Sequence, residues 1–461
     1  MKASLFYLLL GTSSFMIAQN AAPPSFSFHP ITTPKTECIS KEQRLIVLKE
    51  IEENKQAIQQ LKPITSQTST TTNPLFILPI RPKVGFEDYG YYSLFNQVDH
   101  NLAPGGNLTD YNCGERTYDW ANGNHSGTDY VVWPYPWKKM EEDVMEVIAA
   151  APGTIVVNKD GYFDRNCANT GNPNWNGIIL VHADGSESWY WHFKDGSVTS
   201  KEVGDSVSEG EYLGLAGSSG SSDIPHLHFE VRDATGAVVD PYAGPCNDMN
   251  SESWWQEQPD YYISEILTLS THNSEAYDTD CGIVENTYEA LDFVPGEEVR
   301  FRIFYRDLQI DARTEVVVEK PDGSILYDYY WDSPWPDYTA VWAEWIFPID
   351  QTSMDGEYIV TATFEEETYQ TVFGVNTNLS VEDLNALEFV IYPNPTSGML
   401  HVQGDIQIDR LVVYNLIGKE VLELAPMAKK TQIDLSSLNE SVYFVSITSE
   451  GKRAVQRIVK E

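Results

Sequence analysis

The sequence predicts a mainly β protein built from antiparallel sheets in several consecutive units. Three observations carry this expectation. Between about residues 74 and 245 the apolar runs are short and β-prone: Val147–Val157, Gly177–His182, Ser188–His192, Tyr212–Ala216 and His226–Val231. Asp-Gly pairs at 160–161, 184–185 and 195–196 punctuate those runs as hairpin signals. Further on, Val299–Phe304 and Tyr358–Phe364 alternate apolar and polar residues with the period of a half-buried strand.

Taken in order, residues 1–19 read as a secretory signal. Lys2 gives the positive end, Leu5–Met16 the apolar stretch and Ile17-Ala18-Gln19 the small-residue cleavage region. That run is too short to span a membrane and no later run replaces it. No cysteine follows it, which argues against a lipid anchor. Residues 20–73 form a helical pro-segment and linker. Ser40-Lys-Glu-Gln43 has the form of a capping box, Leu45, Leu48, Ile51, Ile58 and Leu61 keep a rough helical stripe, and Pro63 ends it before the Ser/Thr run Thr65–Thr72. Residues 74–245 are the compact sheet unit, and 246–261 a linker. Residues 262–376 read as an immunoglobulin-like β-sandwich. Its tryptophans, Trp331, Trp335, Trp342 and Trp345, are expected in its core rather than on a sugar-binding face. After a linker at 377–384, residues 385–461 form a last small β-sandwich with no titratable cluster.

Charge narrows the partners. Asp and Glu number 68 against 30 Lys and Arg, a net charge of −38. Such a surface does not attract nucleic acid or an anionic membrane, both of which need cationic patches. Solubility outside the cell accounts for it, and a monomer is expected. Five cysteines in an exported chain suggest disulfides, with Cys113–Cys167 and Cys246–Cys281 as the expected pairs and Cys38 left over.

The chemistry centres on Gly217–Val231, where a flexible Gly/Ser run leads into His226-Leu-His228. On a strand, residues i and i+2 share a face, so both imidazoles point the same way. Upstream, His125 and Asp129 stand four apart in His-Ser-Gly-Thr-Asp, with Gly127 expected to turn the chain. Together with one histidine of the later pair they make three protein ligands. That is the count of a catalytic zinc site with a position left open. His192, in Tyr190-Trp-His192, offers a proton handler. No His-Glu-x-x-His occurs, which excludes a helical zincin site.

These residues resemble the M23 family of zinc metallopeptidases, the lysostaphin-like (LytM) peptidoglycan endopeptidases. The first motif matches His125–Asp129, the second Tyr190-Trp-His192, and the third His226-Leu-His228-Phe-Glu230. Gly204-Asp-x-Val207 and Gly210-x-x-x-Gly214 lie where the family has them. The resemblance implies zinc ligation by His125, Asp129 and His228, with His226 and His192 as the catalytic pair. Asp223-Ile-Pro225 replaces the usual Gly-Pro, Phe193 replaces Leu, and Tyr162–Trp175 reads as an insertion. These departures bear on groove shape, not on the metal. The tail is similar to the C-terminal sorting domain of the type IX secretion system of Bacteroidota, through Tyr392-Pro-Asn-Pro-Thr-Ser-Gly398, Tyr414-Asn-Leu-Ile-Gly-Lys419 and Val442-Tyr-Phe-Val445. This implies a protein that engages the secretion machinery and crosses the outer membrane to be released or held at the surface.

The expected activity is a zinc metalloendopeptidase acting on peptidoglycan stems or cross-bridges. The same chemistry on Gly-rich extracellular proteins such as elastin is the alternative. A non-catalytic wall-binding module is a third reading, which zinc content would discriminate.

Overall fold

The computed structural model describes residues 25–30, 41–61 and 73–460, apart from short internal stretches at 102, 104–106, 121–122, 169–171, 276–277, 281–283, 335–336, 378–388, 416–419, 440 and 450–451. The expected signal at 1–19, Ser40 of the capping box, the run Thr65–Thr72, Trp335, Cys38 and Cys281 fall outside the described residues. Strands dominate, as the alternation predicts. Among the described residues there are two helices, and none is long and apolar enough to cross a membrane.

In chain order the first elements are β1 (Ser25–Pro30), α1 (Lys41–Leu61), β2 (Ile80–Pro82), β3 (Tyr92–Asn96), β4 (Asp119–Trp120), β5 (Gly123–Asn124) and β6 (Thr128–Val132). They are followed by α2 (Pro136–Glu141), β7 (Met145–Ile148), β8 (Gly153–Lys159), β9 (Gly177–Val181) and β10 (Glu187–Trp191). Then come β11 (Ser206–Val207), β12 (Tyr212–Leu215), β13 (His226–Arg232) and β14 (Val238–Val239). The principal sheet runs β11-β8-β9-β10-β13-β6-β3, with β14 on the side of β13. The run Val147–Val157 is two strands, because Ala149–Pro152 breaks β7 from β8 and sends them to different sheets. Asp184-Gly185 does close a hairpin, β9 to β10, with Gly185 at φ 91. Asp160-Gly161 instead opens the long connection from β8 to β9.

One face of this sheet packs on β2, β7 and β12 through a core containing Val147, Ile155, Leu180, Tyr190, Leu227 and Phe229. The other face carries Val157, Ile179, Trp189 and Trp191, and α1 lies on it with Val47 and Ile51 buried. The stripe of α1 therefore differs from the one expected. Leu45 is 67% exposed, and the packing positions are Val47, Leu48, Ile51 and Ile58.

Beyond residue 264, a four-stranded sheet contains Glu265–His272, Glu298–Leu308, Tyr338–Pro348 and, at its edge, β1. It shares one core with a five-stranded sheet: Val299, Phe301, Ile303, Val341 and Trp345 on one side meet Val316, Val360, Ala362 and Phe373 on the other. Trp345 is in that core, Trp331 packs on it, and Trp342 joins a second cluster with Trp133, Phe304 and Leu267 that fastens this sandwich to the principal sheet. The C-terminal strands from Phe389 onward make a three-stranded and a four-stranded sheet around Leu400, Val413, Ile433 and Val445.

The disulfide expectation is corrected. Cys113 is bonded to Cys246, and Cys167 is disulfide-bonded to a partner outside the described residues. The turn at Tyr111–Gly114 packs against Gly244, where the Cys246 amide donates to the Tyr111 carbonyl at 2.9 Å, so these two turns deliver the paired thiols.

Burial holds two histidines neutral. Desolvation, and then the charge of Arg302, push His272 well below its ordinary value of 6.5, and desolvation lowers His182. A depressed folded-state pKa means the unfolded chain binds the proton first, so stability is lost as pH falls below the unfolded value. Each should cost up to about 1.4 kcal/mol per pH unit below pH ~6.5. Denaturant melts across about pH 7.5 to 5 should therefore show a shallower decline for His272→Gln than for the parent.

Candidate metal and catalytic site

Pairing of β6 with β13 builds the centre of the site. The register sets His228 opposite Asp129 and His226 opposite Val131. Paired residues project to one face, so Asp129, His226 and His228 share the face that also carries Trp191, opposite His228 on β10. His125 enters from the segment between β5 and β6, with its amide donating to the Tyr118 carbonyl at 3.1 Å and its ring stacked 4.4 Å from Tyr118.

The donor atoms converge. His228 Nδ1 lies 2.9 Å from Asp129 Oδ1, His125 Nε2 lies 3.1 Å from Asp129 Oδ2, and the two histidine nitrogens are 3.2 Å apart. All three residues are buried, and their ligand atoms lie within 4.8 Å of one another. Bonds of ~2.0–2.1 Å at tetrahedral angles set donors about 3.3 Å apart, so this spacing fits a zinc-sized ion. The donor chemistry agrees: two imidazole nitrogens and a carboxylate packed this closely call for a cation between them.

A second layer orients each donor. The Gln97 carbonyl, 2.7 Å away, takes the Nδ1 proton of His125, leaving Nε2 to face Asp129. Asn96 Nδ2 donates to Asp129 Oδ2 at 2.9 Å. His228 Nε2 stands 3.5 Å from Glu230 Oε2, which also accepts from Ser126 Oγ at 2.8 Å. Burial works to raise the Asp129 carboxyl, but the charges and hydrogen bonds of His125 and His228 outweigh it and hold the group well below its usual range. For Glu230, burial is likewise outweighed, by Arg232 and Arg44.

The other two histidines flank the donors. His226 Nδ1 lies 2.7 Å from the Ile224 carbonyl, and its Nε2 stands 3.8 Å from Asp129 Oδ1. His192 lies just past the end of β10 at φ 72, a left-handed backbone that aims the ring toward its neighbours instead of along the strand. Its Nδ1 is 2.7 Å from the Ser219 carbonyl, and its ring centre is 4.6 Å from His226 and 6.1 Å from His228. A carbonyl only accepts, so each Nδ1 carries the proton, and Nε2 is the basic nitrogen of each neutral ring.

All five residues singled out from the sequence thus meet in one place. Two expected details change. The Gly217–Ser222 run is no flexible lead: Ser218, Ser219, Ser221 and Ser222 are buried, and its carbonyls and hydroxyls anchor His192, Asn166 and His226. Gly127 is needed for space rather than for a turn, since a Cβ there would stand 2.7 Å from His228 Nε2 and from the Phe229 carbonyl. Asn96 and Gln97 went unnoticed because nothing in sequence ties them to His125. Glu230 was within reach, two residues past His228 and so on its face. His182 is structural, bonded to the Pro152 carbonyl and Ser188 Oγ at 2.9 Å each.

Because an alanine methyl at 127 must displace the His228 ring, Gly127→Ala should lower zinc affinity by about 10- to 100-fold, as loss of ligand support does elsewhere. Competition against a chromophoric chelator, with circular dichroism to confirm folding, measures it.

Comparison with known proteins gives the following. Residues 125–241 match the model of peptidase family M23, and residues 390–461 that of a secretion system C-terminal sorting domain. The cell division protein DipM of Caulobacter vibrioides is 38% identical over 90 residues, 19% of this chain and 14% of that protein, so the chain spans only a small part of that relative. Among solved structures, a point mutant of the catalytic domain of the prophage-encoded M23 protein EnpA from Enterococcus faecalis is 21% identical. That alignment covers 37% of this chain and 94% of EnpA's domain, with a TM-score of 0.20. A putative M23 peptidase from Pseudomonas aeruginosa is 22% identical over 42% of this chain and 60% of that one, with a TM-score of 0.19.

Proposed function

We propose that this chain, which carries a family M23 peptidase domain and a secretion-system sorting domain, is an exported zinc metalloendopeptidase that cuts peptide bonds in bacterial peptidoglycan. The observation that carries this reading is the convergence of His125, Asp129 and His228 donors with two further histidines on one sheet face. We assign residues 74–245 to the catalytic unit, 262–376 to an accompanying immunoglobulin-like sandwich and 385–461 to the tail that addresses the protein to type IX export. A leader at 1–19 fits the same route.

His125, Asp129 and His228 would hold the ion, and His192 and His226 would handle protons. Zinc so held polarises a carbonyl oxygen and brings the pKa of water in its coordination sphere to about 7. One flanking imidazole takes a proton from the attacking water at its Nε2 while the water oxygen adds to the scissile carbonyl carbon. The other, protonated, faces the developing oxyanion. As the C–N bond breaks, the imidazolium returns its proton to the leaving amine, giving a carboxyl and an amine product. The Ser219 and Ile224 carbonyls fix both rings in the tautomer that this requires.

Zinc-loaded full-length protein, freed of its N-terminal segment if that is removed on maturation, should release peptides with new free amines from bacterial sacculi. His228→Ala should release none and lose zinc. His192→Ala should keep zinc and lose about 10²- to 10⁴-fold in rate, the usual worth of a general acid–base. Mass spectrometry of the released fragments reads the outcome. Zinc bound without release from sacculi, but with cleavage of a Gly-rich protein, would move the substrate assignment there.

A further inference from the structure

Helix α1 lies on the catalytic face of the sheet. Across β10 and β13, Trp191 stands opposite His228 and Trp189 opposite Glu230, so all four share one face. Val47 and Ile51 of α1 are buried in the cluster that holds Trp175, Trp189 and Trp191. The three tryptophans stack in a row, 4.5 and 5.6 Å apart, and Trp191 is 6.2 Å from His228. The start of the helix comes closest to the donors. Arg44 donates to Glu230 Oε1 at 2.6 Å and to Ser126 Oγ at 3.0 Å. From there α1 crosses the strands: Lys55 pairs with Glu187 on β10, Asn54 Nδ2 donates to the Val156 carbonyl on β8 at 2.8 Å, and Ile58 reaches Gly204.

The five site residues are no more than 5% exposed. A polymer backbone must approach within bonding distance of such groups to be cut, so in this state the site is shut. The helix is a removable kind of cover. Its apolar hold rests chiefly on Val47 and Ile51, its remaining contacts are polar, and it is followed by Pro63 and the Ser/Thr run Thr65–Thr72, a linker composition.

We propose that α1 is an inhibitory cover, occupying the tryptophan floor of the substrate groove beside the metal donors and latched by Arg44 on Glu230. The proposal rests on the hydrolase reading for what the groove accepts, but not for whether α1 covers it. Displacing α1 uncovers Trp189 and Trp191 as a flat apolar floor leading to His228, and frees the position beside Glu230 that the Arg44 guanidinium holds.

The test uses the zinc-loaded full-length chain in three forms: parent, Arg44→Glu, and Val47→Asp with Ile51→Asp. Arg44 is a partly exposed residue outside the sheet, so its replacement leaves the fold in place if the apolar double variant proves too disruptive. Two readouts are independent of catalysis: the rate at which a chelator strips zinc, and acrylamide quenching of tryptophan fluorescence. Both variants should lose zinc about tenfold faster than the parent and show stronger quenching, as local opening of a cover requires. Both should also digest sacculi faster, and a synthetic peptide of residues 41–61 added in trans should reverse the gain. Parent-like zinc loss and parent-like digestion in both variants would overturn the proposal. So would a folded variant that digests more slowly, since α1 would then be a support of the site. Faster zinc loss with no digestion by any form would leave the cover standing and remove the hydrolase reading.

Discussion

The antiparallel pairing of β6 with β13 is the constraint on which the rest depends. It fixes His228 opposite Asp129. A slip of one residue would turn Asp129 or His228 into the apolar core and bring Tyr130 or Leu227 onto the site face. Register is therefore held by the core on the far side of the sheet, where Tyr130, Leu227, Phe229 and Tyr190 are buried together. The metal donors owe their geometry to hydrophobic residues that never touch them.

Gathering so many polar groups in a buried place requires that each be partnered, because an unsatisfied buried polar group is costly. Backbone carbonyls do much of this. Gln97, Ser219 and Ile224 each take an imidazole proton, and in doing so set which nitrogen faces the site. The carboxylates of Asp129 and Glu230 complete the set, one among the donors and one behind His228. Close packing then makes glycine necessary at 127, where the chain passes against the His228 ring.

The catalytic sheet does not stand alone. Trp133, Phe304 and Trp342 pack between it and the following sandwich, and Trp133 Nε1 donates to the Tyr305 carbonyl at 3.2 Å. The N-terminal segment reaches both bodies. β1 adds a strand to the sandwich sheet along Tyr338–Pro348, with His29 stacked 3.8 Å from Trp342, while α1 lies on the catalytic face. An edge strand covered in this way presents no open ladder to other chains.

By itself, the sequence determined the mainly β architecture and the five histidine and aspartate residues of the site. Both rest on short-range rules. Alternation with period two marks strands whatever their partners, and His226 and His228 share a face because they are two residues apart on one strand. It also placed α1, although the exposed Leu45 misled the choice of its packing face. Tertiary structure alone decided what depends on distant segments meeting. The pairing of Cys113 with Cys246, the anchoring of His125 by Gln97 and of His192 by Ser219, and the side of the sheet on which α1 lies all join residues far apart in the chain. No local pattern encodes such meetings, because they follow from the strand order of the sheet and the packing on its two faces.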